Sequence, residues 1–507
     1  MCSYRVDRRT VLRGAAVGGL VAGLPVAAAG PALARPGRPV LTHGVQSGDV
    51  LPGSGLVWTR ADRPSRMLVE VADNPGFRRA RRLRGPVLTP RSDFTGRLRV
   101  PGSGEVHYRV TAEDLDGRTA SEPLTGSFRT PPGRRDGARF VWSGDVVGQG
   151  WGINPDIGGM TIFSAMAERD PDFFLCSGDT VYSDGPLAES VTLPDGRVWR
   201  NVVTPEKLKV AETLDEYRGQ FAYNLLDENL RAFAARVPQI NQWDDHEVTN
   251  NWYPGEVLTD ERYTETDVDT LAARAFQAFH EWVPLDPRRA VDGRVYRTLP
   301  WGPHVEVFVL DMRSYRDANS ANTAPLERIL GERQAQWLVD GLRSSTATWK
   351  IVAADIPLGV LVPDGRTAWE GVANGAPGVP TGREAEIAWV LRGIRGVRNV
   401  VWLTADVHYT AAHRYSPSRA AFDEFDEFWE FVSGPLNAGA FGPNELDPTF
   451  GPEVAFVQGP PAPGTSPLDG FQNFGEVEVA PGGGELTVTL RGQAGEALWS
   501  TTLTAQR

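Results

Sequence analysis

FFLCSGD, residues 173–179, is a short apolar run that stops at the tripeptide Ser-Gly-Asp. RFVWSGD, residues 139–145, stops at the same tripeptide, and three further apolar runs end in acidic residues. They are QINQWDDHE (239–247), with Asp244, Asp245 and His246; WKIVAAD (349–355), with Asp355; and VVWLTADVH (400–408), with Asp406 and His408. Helical patterns such as GMTIFSAMAERD (159–170), LAARAFQAFHEW (271–282) and ERQAQWLVDGLRSS (332–345) lie between them, so residues from about 138 to 455 read as an α/β domain. In such sheets ligands gather outside the carboxyl ends of the strands, and aspartates far apart in sequence converge on one crevice. Carboxylates gathered there repel one another and stay ionised together only with cations between them.

Working outward, residues 38–132 lack any useful helical period. GLVWTR (55–60), RMLVEVAD (66–73), GRLRV (96–100) and VHYRVTAEDLDG (106–117) are strand-like runs separated by Gly, Pro and Asp turns. They predict a small all-β sandwich of fibronectin or immunoglobulin type, joined by the linker TPPGRRDGA (130–138). A third Ser-Gly-Asp, at Ser47–Asp49, falls in this module, and Asp49 is expected to hold a turn or a domain interface. Strand alternation returns in the last residues, FGEVEVAPGGGELTVTLRGQAGEALWSTTL (474–503). Such a tail would favour small substrates if it closed over the cleft.

The first 34 residues read as a twin-arginine export signal. Arg8 and Arg9 precede a Gly/Ala-rich apolar run, which ends in the small-x-small site Ala32-Leu33-Ala34. The expectation is a secreted, periplasmic or cell-wall-associated protein exported folded by the twin-arginine machinery, a route that suits a metalloprotein. No spanning segment is expected in the mature chain. Of the two cysteines, Cys2 leaves with the signal and Cys176 ends an apolar run, so no disulfide framework is expected and Cys176 reads as a small buried hydrophobe. With 64 acidic against 52 basic side chains the net charge is −12, which excludes a broad electrostatic grip on nucleic acid.

Two spacings sharpen the candidate site. Asp179 and Tyr182 stand three apart in GDTVY, where one turn aims a carboxylate and a phenol at the same point. Asp406 and His408 stand two apart, on one side of an extended segment. Oxygen ligands outnumber imidazoles, so the site favours hard ions such as iron(III), calcium or manganese. His43, His107, His280 and His304 read as structural, and His413 stands between that reading and a place in the cleft.

Taken together, GVQSGDVLPGSGLVWTR (44–60), GDTVYSDG (178–185), WDDHEVTNNW (243–252), VLDMRSYR (309–316) with GERQAQWL (331–338), and ADVH (405–408) resemble the alkaline phosphatase D (PhoD-like) family, a branch of the calcineurin-like metallophosphoesterases. The resemblance implies a four-layer αββα catalytic domain behind the β module, and hydrolysis of phosphate mono- or diesters with Fe(III) and Ca(II), Mn(II) being a further divalent choice. It implies Asp179 as a bridging carboxylate, Tyr182 as an iron(III) phenolate ligand, Asp245 as a ligand of the second metal, and Asp406 and His408 completing the shell, His408 on the iron side. His246 would face the substrate, to stabilise the phosphoryl oxygens or protonate the leaving group. Asp145 stands where PhoD-like enzymes commonly carry a cysteine, and an aspartate there is what purple acid phosphatases use. Asp355 stands where purple acid phosphatases place a histidine ligand and is included as a ligand of the second metal. Arg313, in LDMRSYR, is expected either to contact the phosphate or to form a salt bridge. The expected chemistry is in-line attack on phosphorus by a metal-bound hydroxide. The competing readings are a phospholipase D-like diesterase on phospholipids and a secreted binding protein with a degenerate, inactive catalytic domain.

Overall fold

A computed structural model describes residues 37–506. The export signal expected at 1–34, including Cys2, lies outside the described residues. Arg38–Arg507 form one compact unit. Two large sheets build it. In one, the strands Ala138–Ser143, Phe173–Cys176 and Gln239–Asn241 run parallel, flanked on one side by the antiparallel strands Asn473–Val479, Glu485–Gly492 and Ala497–Thr504. In the other, Val305–Val309, Trp349–Ala353, Val400–Thr404 and Phe428–Val432 are parallel.

Alternation along these strands decides the layering, because successive side chains leave opposite faces. Phe140 and Trp142, Phe173 and Leu175, Val305 and Val307, and Ile351 and Ala353 all enter one core that spans the gap between the two sheets. Their neighbours face outward. Val141, Phe174 and Cys176 pack beneath the helix Ile162–Glu168 and Phe233 of the helix Glu228–Ala234. Phe308, Val352 and Trp402 pack beneath the helices Glu332–Ser344 and Arg383–Gly393. The order is therefore helix, sheet, sheet, helix. These strands are apolar on both faces because both faces are covered.

The sandwich expected for residues 38–132 is not a separate body. Leu41–Leu51, Ser54–Ala61 and Thr95–Pro101 extend the first large sheet, with Leu41–Leu51 joining Gln239–Asn241 in parallel at Gly48 opposite Gln239. Only the four strands Ser65–Ala72, Arg81–Leu88, Glu105–Glu113 and Leu124–Arg129 form a sheet of their own, and its inner residues, Met67, Val69, Val106 and Tyr108 among them, enter the same core. The physical reason is Gly48. A Cβ there would lie 2.5 Å from the Pro284 carbonyl oxygen and 2.6 Å from that of Gln239, so glycine alone lets the strands approach. Sequence alternation sees two β faces but not which sheet a strand joins.

Asp49, the aspartate of the third Ser-Gly-Asp, locks this junction. Its carboxylate meets the guanidinium of Arg297 at 2.8 Å, with both side chains fully buried, and accepts the Asp286 N–H at 2.8 Å. Arg297 also donates to the carbonyl of Asn241 at 3.1 Å. Removing one partner strands a buried charge, so Arg297→Met is expected to lower stability by about 3–5 kcal/mol. Denaturant unfolding measures this, and a loss below about 1 kcal/mol, the range of an exposed pair, would show that the pair does not hold the junction.

Candidate metal centre

Three of the five strand ends deliver their aspartate by a sharp change of backbone direction. Asp145, Asp179 and Asp406 have φ of 58°, 48° and 67°, and His408 has φ of 58°, all in the left-handed region that side chains rarely occupy. Four such residues at one crevice are local strain maintained by the surrounding hydrogen bonds. The Asp145 carbonyl accepts N–H groups from Leu436, Asn437 and Ala438, and the Asp179 carbonyl accepts that of Val146. Below them, Gln242 Nε2 donates to the carbonyls of Leu310 and Ala353, tying the carboxyl ends of the two sheets together.

The delivered side chains fall into three overlapping groups with their ligand atoms within 4.8 Å of one another: Asp145, Asp179 and His408; Asp179, Asp245 and His246; and Asp244, Asp245 and Asp406. Around the first group, His408 Nδ1–H donates to the Gly439 carbonyl at 2.6 Å, which fixes the tautomer and leaves Nε2 with its lone pair. That nitrogen lies 2.9 Å from Tyr182 Oη and 3.4 Å from Asp145 Oδ1. His246 is anchored through the same ring nitrogen, but by a carboxylate instead of a carbonyl. Its Nδ1–H donates to Asp184 Oδ1 at 2.7 Å, its ring stacks on Tyr182 with centroids 4.2 Å apart, and Nε2 turns toward Asp245 at 3.9 Å. Glu247, one residue further, accepts backbone N–H groups of Asp179, Thr180 and Asp244 and so braces two of the strand-end turns at once.

The donor set fits cations. Neither oxygen of Asp145 or Asp355 accepts a hydrogen bond, and Asp244 Oδ2 and Asp245 Oδ1 also lack a donor. Unpaired buried carboxylate oxygens are costly, and their number here marks a place for positive charge. Space is reserved as well. A Cβ at Gly434 would come within 2.0 Å of Asp145 Oδ2, and one at Gly148 within 2.1 Å of the Tyr182 ring. The carboxylates act on one another: burial, and then the charge of Asp244, drives Asp145 well above the carboxylate range, and burial with Asp245 does the same to Asp179. Burial with Glu370 raises Asp406, and burial with Asp179 raises the Tyr182 phenol. Burial alone opposes ionisation of Asp245, but His246 and Arg313 outweigh it and hold Asp245 at about 2. Burial lowers His408 to about 4, while Asp184 and Asp245 overcome burial at His246 and carry it to about 10.

Arg313 and Asp355 are placed differently from their neighbours. Arg313 is fully buried, with Nε on Asp244 and Nη2 on Glu370, and Asp245, Asp355 and Asp406 lie within 3.8–3.9 Å. A guanidinium with no exposure does not reach a substrate, so the salt-bridge reading is the one the geometry supports: Arg313 is an internal counter-charge beneath the carboxylates. Asp355, also buried, belongs to none of the three groups and lies against Asp244 and Arg313, one layer below the cavity. The cavity itself is about 330 Å³ and is bordered by Asp179, Asp245, His246, Asp406 and His408. None of its lining residues follows Asn444, so the C-terminal strands extend the first sheet and leave the opening clear.

Sequence reasoning missed Asp244 as a group member, Asp184 as the partner of His246, and Glu247 and Glu370. Asp184 and Glu247 sat inside quoted motifs, but nothing local distinguished a brace from a solvated acid. Glu370 comes from a segment without strand or helix signal. His43, His107, His280, His304 and His413 stay outside the cavity; His413 is buried on Glu430 at 3.3 Å. Cys176 faces the helix side, its thiol pushed up to about 12 by burial, as suits a small buried hydrophobe.

These shifts give a pH signature. A carboxyl whose pKa is higher folded than unfolded keeps its proton in the native state, so stability falls as pH rises past the unfolded value. His246, raised as well, keeps its proton above the unfolded imidazole value and acts in the same direction. His408, lowered to about 4, opposes this up to the unfolded imidazole value but is one group against Asp145, Asp179, Asp406 and His246, so cation-free protein is expected to lose thermal stability as pH rises to about 8, most clearly above about pH 6.5, and added divalent cation to abolish most of that loss. Calorimetry with and without chelator checks this; a cation-free melting temperature that rises over that interval would contradict the assignment.

Comparisons with known proteins agree with this geometry. Residues 140–490 match the PhoD-like phosphatase family, and residues 26–132 match its N-terminal domain. The chain is 29% identical over 446 residues to alkaline phosphatase D of Bacillus subtilis (strain 168), covering 79% of this chain and 71% of that protein. A solved structure of PhoD superposes with a TM-score of 0.67 at 24% identity, over 91% of this chain and 88% of the other. A purple acid phosphatase, PPD1 from yellow lupin (Lupinus luteus), gives a TM-score of 0.58 at 12% identity, over 92% and 74%. A metal-accepting crevice at the carboxyl ends of two facing sheets and a family match over most of the chain lead to one conclusion: the chain belongs to the PhoD-like phosphatase family and is a phosphoric ester hydrolase.

Proposed function

We propose that the chain is a secreted phosphatase and phosphodiesterase that works with two ions side by side. The observation that carries the reading is the place of Asp179 in two adjoining groups, with Asp145 and His408 on one side and Asp245 on the other, as would suit a carboxylate shared by two cations, and with His246 beside them as a proton donor. Asp145, Asp179, Tyr182 and the neutral His408 suit iron(III) on one side. The carboxylates of the other side suit calcium or manganese(II). Ions bound there supply an activated water and a clamp on the phosphoryl oxygens.

The chain's own groups do the rest. Asp184 holds the His246 ring so that Nε2 faces the cavity, where a protonated imidazole donates to the phosphoryl group or the leaving oxygen. Glu247 and the carbonyl of Gly439 keep the ligands oriented. Diesters, phospholipid diesters included, enter this reading on equal terms with monoesters because the C-terminal strands do not border the cavity. A degenerate binding domain is the weaker reading, since Tyr182, His246 and His408 all keep their contacts to one another or to carboxylates. Secretion rests on Arg8-Arg9 and the Ala32-Leu33-Ala34 site, and cell fractionation of the full chain tests it.

Hydrolysis of p-nitrophenyl phosphate and bis-p-nitrophenyl phosphate, before and after chelation and with ions restored, tests the activity. Chelator-sensitive turnover is expected, and turnover untouched by thorough chelation would sink the reading. Asp184→Asn is expected to lower kcat by at least about tenfold with less effect on KM, because it frees the ring without removing it. With iron(III) loaded, the protein is expected to absorb visible light through the Tyr182 phenolate and to lose that band in Tyr182→Phe.

A further inference from the structure

The walls of the cavity differ from its floor. Five carboxylates (Asp179, Asp245, Asp364, Glu370 and Asp406) and two imidazoles line it, and no lysine or arginine does. Asp179, Asp245 and Asp406 belong to the ligand groups, and Glu370 is paired with Arg313. Asp364 is different: among the described residues it forms no ion pair, and it belongs to no ligand group. Two neutral amides hold it. Asn251 Nδ2 donates to Oδ1 at 3.0 Å and Asn319 Nδ2 to Oδ2 at 2.9 Å, so its position is fixed while its charge is left uncancelled. The backbone N–H of the same Asn251 donates to Asp245 Oδ2 at 2.6 Å, which puts Asp364 one residue away from the ligand set.

Asp364 stands on a small hairpin, Pro363–Asp364 paired with Ala368–Trp369, whose turn carries the exposed Arg366 outside the cavity lining. The remaining walls are uncharged: Val362, Pro363, Val407 and Phe441, with the amides of Gln149, Asn250 and Asn444. With the phosphoryl group on the floor, the organic part of the ester lies against these walls and beside Asp364. We infer that Asp364 is a specificity-determining residue that selects phosphate esters with uncharged or cationic organic groups and rejects those bearing a second phosphate or a carboxylate. A further anion would sit near a fixed like charge, and the one cationic side chain of the lining, His246, is held by Asp184 and faces the phosphoryl group, so Asp364 is a repulsive element of the kind that sets selectivity. This inference rests on the phosphoesterase reading above and narrows its substrate class.

The test uses p-nitrophenyl phosphodiesters whose second alcohol is neutral (ethyl), cationic (trimethylammonioethyl) or anionic (carboxymethyl), assayed with the ion-loaded full chain. The wild type is expected to show kcat/KM for the anionic ester at least about tenfold below the other two. Asp364→Asn is expected to narrow that ratio by a similar factor, and Asp364→Glu to keep it. Inhibition constants for ethyl phosphate against phosphoglycolate give the same discrimination without turnover, and Arg366→Ser is expected to leave the ratio where it was. Equal rates on all three esters would overturn the inference while leaving the phosphoesterase reading intact, and so would an unchanged ratio in a folded Asp364→Asn. A divalent cation found on Asp364 by anomalous scattering would overturn it as well. No turnover on any ester, with equal binding of the two inhibitors, would remove both.

Discussion

Mutual repulsion among buried carboxylates is the constraint on which the rest of this structure depends. Asp145, Asp179, Asp244, Asp245, Asp355 and Glu370 are buried, and Asp406 joins them at the cavity. Left alone, such a cluster would take up protons or open to water. The fold answers from below with one guanidinium, Arg313, in contact with Asp244 and Glu370 and close to three more carboxylates. It answers from the rim with His246, held in its cationic form by Asp184. Two positive groups do not balance seven carboxylates, and the three ligand groups are where cations could supply the remainder. The same arithmetic bears on the strained backbone at Asp145, Asp179, Asp406 and His408: binding of cations there would reward a geometry that folding alone does not.

The strand-end aspartates were legible in the sequence because two local signals coincide, an apolar run covered on both faces and an acidic residue at its end. Parallel pairing then places those ends at one edge, which the alternating β and α segments already imply. Asp364, Glu370 and Asp184 were not legible as site residues. Each sits on a loop whose approach is set by partners distant in sequence: Asn251 and Asn319 for Asp364, Arg313 for Glu370, His246 for Asp184. Arg313 illustrates a different limit. Its place just after a strand was readable, but whether the guanidinium points into the cavity or under it depends on Asp244, sixty-nine positions earlier.

Asp145, where the resemblance leads one to expect a cysteine, changes the chemistry offered at that ligand position. A carboxylate is harder than a thiolate and carries two oxygens, both here without a hydrogen-bond donor. The neighbouring Gly434 leaves just enough room for it, since any side chain there would displace Asp145 Oδ2. The residue at 145 and the glycine at 434 are therefore read together. One supplies the ligand and the other its clearance.

The N-terminal strands belong to the same argument. Had residues 38–132 folded as a free sandwich, the strand Gln239–Asn241 would be an edge, and Asp244 and Asp245 would project from the least constrained strand of the sheet. Instead Gly48 lets the first strand pair beside Gln239. The Asp49–Arg297 pair then clamps the carbonyl of Asn241, three residues before Asp244. The module thus acts on the candidate metal centre without touching it, by turning the strand that carries Asp244 and Asp245 from an edge into an interior one.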